Sequence, residues 1–561
     1  MAGIWWRLSF LPCRRGATAM SIPLEPTSLP PASVTASAVR DGLNRGDEMA
    51  LLDVREAGQF GEGHPFFAVP APYSRLEWDV PRLVPRRGTR IVLLDGGDGV
   101  AVRAAQRLAA LGYQQLQVLE GGAPSWAAAG YTLFKGVNLP SKTFGELVEH
   151  AFGTPHVSAA ELRRRQRAGE PLVLLDGRTL EEHRKMTIPG AIPVPNGELA
   201  RHWSALAPDP ATPIVIHCAG RTRSIIGAQV LRSMGIPNPV LALENGTQGW
   251  ALSGLTLERG SLRRSPTPRP VQAVDQARAA RVAADAGAAL LTAAQAQAWI
   301  DDPERTTYVL DVRTAEEYAA GSLRGARHAP GGQLLQATDQ TIGVRRSRVL
   351  LLDDDGVRAP VVAAWLARLG YETATVEGGI HAALTVTGTE WARPPVAPPQ
   401  VGLRELPGWL SSQQVPALLL DVQPSLAYRR QHAEGARWSV RPRVAAEVRS
   451  AASGTLAPLL ILAGDAASAA AAASEIAPGS VASVQWALAA DWAAAGLPVQ
   501  SSPDLPADAD AIDYLFFVHD RHDGNLDAAR RYLAWETGLI AQCAPDELAA
   551  FRLPATPPQT T

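Results

Sequence analysis

Four segments of this chain repeat one pattern, and this repetition limits the possible folds more than any other feature. In each segment an apolar run ends in an aspartate, at Asp53, Asp176, Asp311 and Asp421. A second apolar run, a helical pattern and a third short apolar run follow. Short apolar runs that alternate with helical patterns predict βα units around a mostly parallel sheet flanked by helices. We therefore expect an α/β fold with one such unit per repeat.

The chain has 561 residues, which is too long for a single core. Linkers rich in Pro, Arg or Ser lie at 257–271 and 393–400. A helical pattern runs from Leu526 to Gln542, so the segment after the repeats is expected to be helical. The predicted divisions are an N-terminal tail (1–32), unit one (33–135), unit two (155–260), unit three (290–393), unit four (403–500) and a C-terminal extension (501–561).

Composition narrows the class of protein. The net charge is −2, with 46% hydrophobic and 19% charged residues, which is typical of a folded globular protein and gives no reason to expect a nucleic-acid partner. No run approaches the roughly 18–20 apolar residues that span a bilayer, so no membrane partner is expected. Arg7 and Pro12 interrupt the apolar start of the chain, which argues against a signal peptide and leaves open whether the native protein starts at Met20. Three cysteines cannot form a disulfide framework, and we expect a cytoplasmic protein.

Cys218 is the candidate catalytic residue. It directly follows the apolar run 214–217, and a short loop connects it to a helical pattern that begins near Ser224. Neighbouring cations and a helix N-terminus favour the thiolate, and a short loop can turn its backbone N–H groups inward to hold an anion. We expect an anionic, sulfur-bearing group on Cys218 to be bound by Ala219, Gly220, Arg221, Thr222, Arg223 and Ser224.

The other three repeats lack this cysteine. Alignment of the second apolar runs places Asp95, Asp353 and Ala463 at the position of Cys218. A carboxylate cannot replace a thiolate as nucleophile, and in a loop that binds anions it would compete with any anionic substrate. Units one, three and four are therefore predicted to be inactive.

The chain resembles the rhodanese (thiosulfate sulfurtransferase) superfamily over about residues 33–500. The motifs that carry this resemblance are the Asp-Val-Arg type motif after each first apolar run, Ile-Pro-Gly-Ala at 188–191, Gly-Ser-Leu-Arg-Gly-Ala at 321–326, the Glu-Gly-Gly signature followed by a tryptophan, and the Cys218 loop. The resemblance implies four tandem rhodanese-like domains. It also implies that Cys218 takes sulfur from thiosulfate as a persulfide and passes it to cyanide or a thiol, without a cofactor or metal.

Alternative chemistries depend on the loop. Related phosphatases and arsenate reductases have five residues between cysteine and arginine, whereas Arg223 comes one residue earlier here, which favours sulfur over phosphate or arsenate. The Cys-Gly-Ser-Gly-Val-Thr type loop usual in mercaptopyruvate sulfurtransferases is absent. The alternative outside small-molecule enzymology is a scaffold that relays persulfide sulfur from Cys218 to a partner protein.

The order of the repeats predicts their packing. Two-domain rhodaneses pair an inactive first domain with an active second one, and the active site lies between them. By this resemblance, unit one is expected to pack against unit two and to form a wall of the Cys218 pocket. Units three and four are then expected to form a second pair.

Several polar residues of the repeats and of the extension allow either a structural or a functional interpretation. Arg178 is a candidate substrate ligand, and a buried pair with Asp176 is its structural alternative. His217 is expected to be packed as structural support, as are Glu182 and His183. We expect the polar segment 519–523 to be a solvated loop without a metal, followed by a helix that Asn525 caps.

Overall fold

The computed structural model describes residues 31–387, 395–451, 456–517 and 519–554. Cys13 and nearly all of the predicted N-terminal tail lie outside these ranges, as does part of the linker at 393–400. Within the described ranges, none of the helices is both long and apolar enough to cross a bilayer.

Units one, two and three each contain a five-stranded parallel sheet with the same strand order. In spatial order the strands of unit one are Ala32–Val34, Gln115–Leu119, Arg90–Leu94, Ala50–Asp53 and Val69–Pro70. Those of unit two are His156–Val157, Val240–Leu243, Ile214–His217, Val173–Asp176 and Ile192–Pro193. Those of unit three are Ala289–Leu291, Glu372–Val376, Arg348–Leu352, Thr307–Asp311 and Arg327–His328.

Unit four keeps a reduced form of this sheet. Its four parallel strands are Arg437–Trp438, Leu418–Asp421, Pro458–Ala463 and Ser483–Leu488. A bridge between Gln400 and Trp486 lies at the edge where the other units have a further strand. His432–Ala433 and Val499–Gln500 form a separate antiparallel pair. The predicted α/β fold with four repeated sheets is confirmed.

Helices flank the sheets. In unit one they are Ala36–Arg45, Ala57–Glu62, Leu76–Leu83, Val100–Ala110 and Gly122–Ala128, and in unit two Ala159–Ala168, Leu180–Lys185, Leu199–Leu206, Thr222–Met234 and Gly246–Leu252. In unit three they are Ala293–Asp301, Ala315–Ala320, Gly331–Gln336 and Arg358–Arg368, and the helix Ala273–Asp285 precedes this unit. In unit four they are Leu406–Ser411, Ser425–Arg430, Val444–Ala451, Ala466–Ala473 and Ala489–Ala494. Leu139–Phe152, here called the linker helix, joins units one and two, and the extension contains Leu526–Thr537 (the C-terminal helix), Leu539–Gln542 and Pro545–Leu548.

The central strands are fully buried, which explains why their sequences are continuously apolar. Each residue of Ile214–His217 is buried, as are the last four residues of Arg348–Leu352. Strands that are covered on both faces carry apolar side chains on both faces. The polar residue that follows such a strand therefore lies at the carboxyl edge of the sheet, where open α/β sheets bind their ligands.

The units pack in a different order from the one predicted. Unit two contacts unit three, where Arg358 and Glu198 form an ion pair of 3.1 Å. Unit one contacts unit four, where Arg441 and Glu77 form an ion pair of 2.6 Å. The linker helix lies on the face of unit two that unit one was expected to cover, and a Cβ on Gly145 would lie 2.8 Å from Thr222 Cγ2. The predicted pairing of units one and two is therefore wrong.

Candidate active site at Cys218

Cys218 lies at the end of the central strand of unit two and is 2% exposed. It borders a cavity of about 130 Å³. Its sulfur is 3.3 Å from Ser224 Oγ and forms no disulfide. The helix Thr222–Met234, here called the Cys218 helix, begins two residues before the predicted start. Its first N–H groups, which have no acceptor within the helix, therefore belong to the loop.

The carbonyl groups of the loop face away from the cavity. The Cys218 carbonyl accepts a hydrogen bond from Thr247 N at 2.8 Å, and the Ala219 carbonyl accepts one from Gln248 N at 3.1 Å. Because the N–H and C=O of a trans peptide point in opposite directions, the N–H groups of Ala219 and Gly220 face the other side. Cys218, Ala219 and Gly220 all border the cavity, so these donors are available to a group bound there.

A glycine is required where this loop meets the next helix. Gly246 has a φ of +52°, and a Cβ there would lie 2.3 Å from the Cys218 carbonyl oxygen. Gly122 and Gly379 take the same place in units one and three, where a Cβ would lie 2.4 Å from Asp95 O and 2.0 Å from Asp353 O. The repeated glycine signature therefore allows the backbone to approach the loop closely.

The loop of unit three shows which backbone N–H groups converge on the side chain at the cysteine position. The carboxylate of Asp353 accepts hydrogen bonds from Gly356 N, Val357 N and Ala359 N at 3.1, 3.1 and 2.8 Å. Backbone donors that converge on one point can form an anion site, although burial and the neighbouring Asp355 raise the pKa of Asp353 to about 7 against these hydrogen bonds. The residues at the same offsets from Cys218 are Arg221, Thr222 and Ser224.

Unit one repeats this arrangement. Asp95 accepts hydrogen bonds from Gly97 N at 2.9 Å and Ala101 N at 3.0 Å. In both units a carboxylate thus accepts hydrogen bonds from the backbone N–H groups of the loop. Ala463 in unit four has no group that could do so.

Both arginines of the Cys218 loop are ion-paired. Arg223 binds Glu182 through two hydrogen bonds of 2.7 Å, and Arg221 binds Glu146 at 2.8 and 2.9 Å. Burial opposes ionisation of Glu182, but Arg223 nevertheless lowers its pKa to about 2. Arg223 borders the cavity, whereas Arg221 is directed at the linker helix.

Unit three contains the same pair without a thiol. Arg358 binds Glu317 at 2.7 and 3.0 Å, and Arg358 has the same offset from Asp353 as Arg223 has from Cys218. The ion pair therefore supports the loop in a unit that has no nucleophile. The same ion pair in units two and three indicates that Arg223 helps to hold the loop in place.

Arg178 belongs to a buried network beneath the loop. It is 1% exposed, and its Nε and Nη2 atoms lie 2.9 and 2.8 Å from the Asp176 carboxylate. Asp176 is also 3.0 Å from His183 Nδ1. Burial lowers the pKa of the neighbouring His217 to about 4, so this histidine is neutral. The placement of Arg178 contradicts a direct substrate contact and agrees with the structural alternative.

The C-terminal helix contributes a fully buried carboxylate to this site. Glu536 accepts hydrogen bonds from Lys142 Nζ at 3.0 Å and from Thr222 Oγ1 at 2.7 Å. Burial opposes ionisation of Glu536, but Lys142 holds the pKa of its carboxyl group below the usual value. Lys142 Nζ also lies 5.4 Å from the centre of the Tyr532 ring. An ionised pair therefore joins the linker helix, the C-terminal helix and the Cys218 helix.

Further residues of the extension border the cavity. They are Leu515, Phe517, Arg521, His522, Tyr532 and Trp535. Burial lowers the pKa of His522 to about 3. The expectation of a solvated loop at 519–523 is therefore wrong for Arg521 and His522.

In the described ranges no three potential ligands cluster in a way that could hold a metal ion. Asn525 caps the C-terminal helix as predicted, accepting from Ala528 N at 2.9 Å.

Unit one has an indirect part in the site. None of the lining residues belongs to 33–135 in the described part of the chain, so the predicted wall from unit one is wrong. Unit one instead holds the extension, because Gly58 N donates to Ile512 O at 2.8 Å. The sequence contains only a weak signal that the extension would form a wall of the cavity. Tyr532 and Glu536 lie four positions apart and therefore share one helix face, but the repeats give no reason to place that face over Cys218.

The chain is similar to several known proteins. Residues 35–129, 158–253 and 292–384 match the family model described as the rhodanese-like domain. The crystal structure of a thiosulfate sulfurtransferase from Pseudomonas aeruginosa is 40% identical, with a TM-score of 0.83, and the match covers 93% of this chain and 100% of that chain. An HTH-type transcriptional regulator from Mycobacterium tuberculosis is 35% identical over 111 residues, which are 19% of this chain and 48% of the regulator. This chain thus spans about half the length of that curated relative.

Proposed function

Because this chain belongs to the rhodanese family, we propose that it is a sulfurtransferase that moves sulfane sulfur from thiosulfate to a small thiophilic acceptor through Cys218. The acceptor is cyanide or a thiol. In this proposal unit two performs the chemistry, and units one, three and four are structural. The domain boundaries given above stay predictions.

The proposed reaction has two displacement steps. The Cys218 thiolate attacks the outer sulfur of thiosulfate, the sulfur–sulfur bond of thiosulfate breaks, and sulfite leaves with the bonding electron pair. Cys218 then carries a persulfide. The acceptor attacks the outer sulfur of this persulfide, and the thiolate of Cys218 is the leaving group. Cyanide would become thiocyanate, and a thiol would become a persulfide.

The observation that carries the proposal is the carboxylate of Asp353 on the backbone donors of its loop. This carboxylate occupies the position at which a Cys218 persulfide would lie in unit two. The corresponding backbone donors would stabilise the negative charge of the outer sulfur. We assign this role to the segment Ala219, Gly220, Arg221, Thr222, Arg223 and Ser224.

The proposal that thiosulfate is the sulfur donor does not require an arginine without an ion-pair partner. Arg221 and Arg223 are each neutralised by a carboxylate, and Lys142 by Glu536. Support for this donor comes from the loop donors, which suit an anion, and from the full-length likeness to a protein that is named a thiosulfate sulfurtransferase.

Relay to a partner protein is the less favoured alternative. Cys218 is 2% exposed, and its cavity has a volume of about 130 Å³. A pocket of this size suits a small acceptor better than the side chain of another protein. Phosphatase and arsenate reductase activities are also less favoured, because the loop from Cys218 to Arg223 is one residue shorter than the loop of those enzymes.

The decisive assay is thiosulfate:cyanide sulfur transfer, measured as thiocyanate formation. Wild type and Cys543→Ser should be active, because Cys543 is a second free cysteine outside the cavity. Cys218→Ser should be inactive. Activity that survives in Cys218→Ser would refute the mechanism. An inactive wild type that passes a Cys218 persulfide to a protein thiol would favour the relay.

A further inference from the structure

A second cavity lies away from Cys218 and has no part in the proposed reaction. Its volume is about 110 Å³. Unit one, the linker helix, unit three and the segment 549–552 all contribute to its walls. The lining residues with polar groups that matter here are Asp339, Arg345, Arg346 and Tyr371.

Asp339 supplies a negative pole to this cavity. Its residue is 8% exposed, and neither carboxylate oxygen has a hydrogen-bond partner. In the part of the chain that the structure describes, no cation forms an ion pair with it. Burial raises the pKa of Asp339 to about 7, against the backbone N–H groups of Asp339 and Gln340, so the carboxyl group is fully ionised only above that pH. A buried carboxylate without a counterion is costly, and a cationic group bound next to it would offset that cost.

Two arginines supply a positive pole. The guanidinium of Arg345 lies 3.5 Å above the centre of the Phe67 ring, and its Nε has no hydrogen-bond partner. The Nε of Arg346 also has none. Arg346 has a φ of +59°, which side chains with a Cβ rarely adopt. This unusual backbone brings a second guanidinium to the wall of the same cavity.

The two poles are separate. Tyr371 borders the same cavity as Arg345 and Asp339. Burial raises the pKa of Tyr371 to about 12, so its hydroxyl group remains a hydrogen-bond donor. In the described residues no ion pair joins Asp339 to either arginine. The cavity thus presents an acidic and a basic group that do not form an ion pair with each other, and the guanidinium of Arg345 also lies on the Phe67 ring.

We propose that this cavity binds a small zwitterion of the amino-acid class, with its ammonium group on Asp339 and its carboxylate on Arg345 and Arg346. A simple anion would leave Asp339 unpaired, and a simple cation would leave the arginines unpaired. A cavity of about 150 Å³ holds a benzene molecule, which has six non-hydrogen atoms, so a cavity of about 110 Å³ restricts the ligand to the smallest amino acids. These are glycine and alanine.

The test is isothermal titration calorimetry of the full-length protein with L-alanine. L-Alanine has no thiol and cannot accept sulfur, so this experiment is independent of the proposed enzymatic activity. Acetate and ethylamine, each with one of the two charges, are the matched probes. We expect L-alanine to bind, and both probes to bind at least about tenfold more weakly, since each makes only one of the two charged contacts.

Substitutions in the cavity wall test whether L-alanine binds in this cavity. Asp339→Asn and Arg345→Gln should each weaken L-alanine binding by about tenfold or more, since each removes one charged contact. Glu304→Gln, at an exposed acidic position of unit three, should leave it unchanged. Absence of binding by both L-alanine and glycine would overturn the proposal, as would undiminished binding in a folded Asp339→Asn. If a variant does not fold, the comparison of the three probes on wild type decides.

Discussion

Glu536 accepts a hydrogen bond from Thr222 Oγ1 at 2.7 Å, although 314 residues separate them in the sequence. Thr222 is the first residue of the Cys218 helix, and Glu536 lies in the C-terminal helix. Lys142 adds the third element at 3.0 Å. The loop that holds the candidate nucleophile is thus fixed by a segment outside the four repeats.

We predict that Glu536→Gln lowers both stability and activity. The change leaves Lys142 buried without an ionised partner, and breaking such a pair costs about 3 kcal/mol of unfolding free energy. The loosened loop should also lower kcat/KM for thiosulfate. Chemical denaturation and steady-state kinetics measure the two effects. Asp527→Asn, at an exposed position of the same helix, is the control, and equal behaviour of the two variants would contradict this role of Glu536.

Gly246→Ala is predicted to disrupt the active-site loop. The new Cβ would lie 2.3 Å from the Cys218 carbonyl oxygen, so the loop and the helix Gly246–Leu252 must move apart. Gly254→Ala is a matched control, because Gly254 also has a positive φ but a Cβ there meets nothing within 4 Å. We expect the control to lose about 1 kcal/mol through backbone strain and to stay active, whereas Gly246→Ala should lose most sulfur transfer. Equal activity in both variants would show that close packing here is not required.

The Glu182–Arg223 pair predicts a pH effect on stability. The pKa of Glu182 falls from its ordinary value of 4.5 to about 2 in the folded protein. Its contribution is therefore complete above pH 4.5 and is lost as the pH falls toward 2, with an upper limit of about 3 kcal/mol. The difference in unfolding free energy between wild type and Glu182→Gln should be constant from pH 7 to 5 and shrink below pH 4.5. Glu181→Gln, at an exposed neighbour, should show no such trend; a difference that grows on acidification would contradict the assignment.

The sequence was sufficient to predict the repeated sheets, because buried parallel strands have continuous apolar runs. It was also sufficient to predict the equivalence of Asp95 and Asp353 to Cys218. The structure of unit three then showed more than the sequence could, since the hydrogen bonds of Asp353 identify the backbone donors of the loop.

The walls of the site could not be predicted from the repeats. Lys142 lies in a linker, and Glu536 and His522 lie in the extension, so their positions depend on how separate units pack. Packing between units is set by shape and by ion pairs such as Arg441–Glu77, which join residues far apart in the chain. The likeness to two-domain rhodaneses predicted the wrong partners for the same reason.

The most direct test of the account is mass spectrometry of the protein after incubation with thiosulfate, without an acceptor. The peptide that contains Cys218 should gain one sulfur atom, and the addition should disappear when cyanide is added. The peptide that contains Cys543 should be unchanged. No sulfur on Cys218, or the same addition on both peptides, would contradict the central claim that Cys218 carries the persulfide.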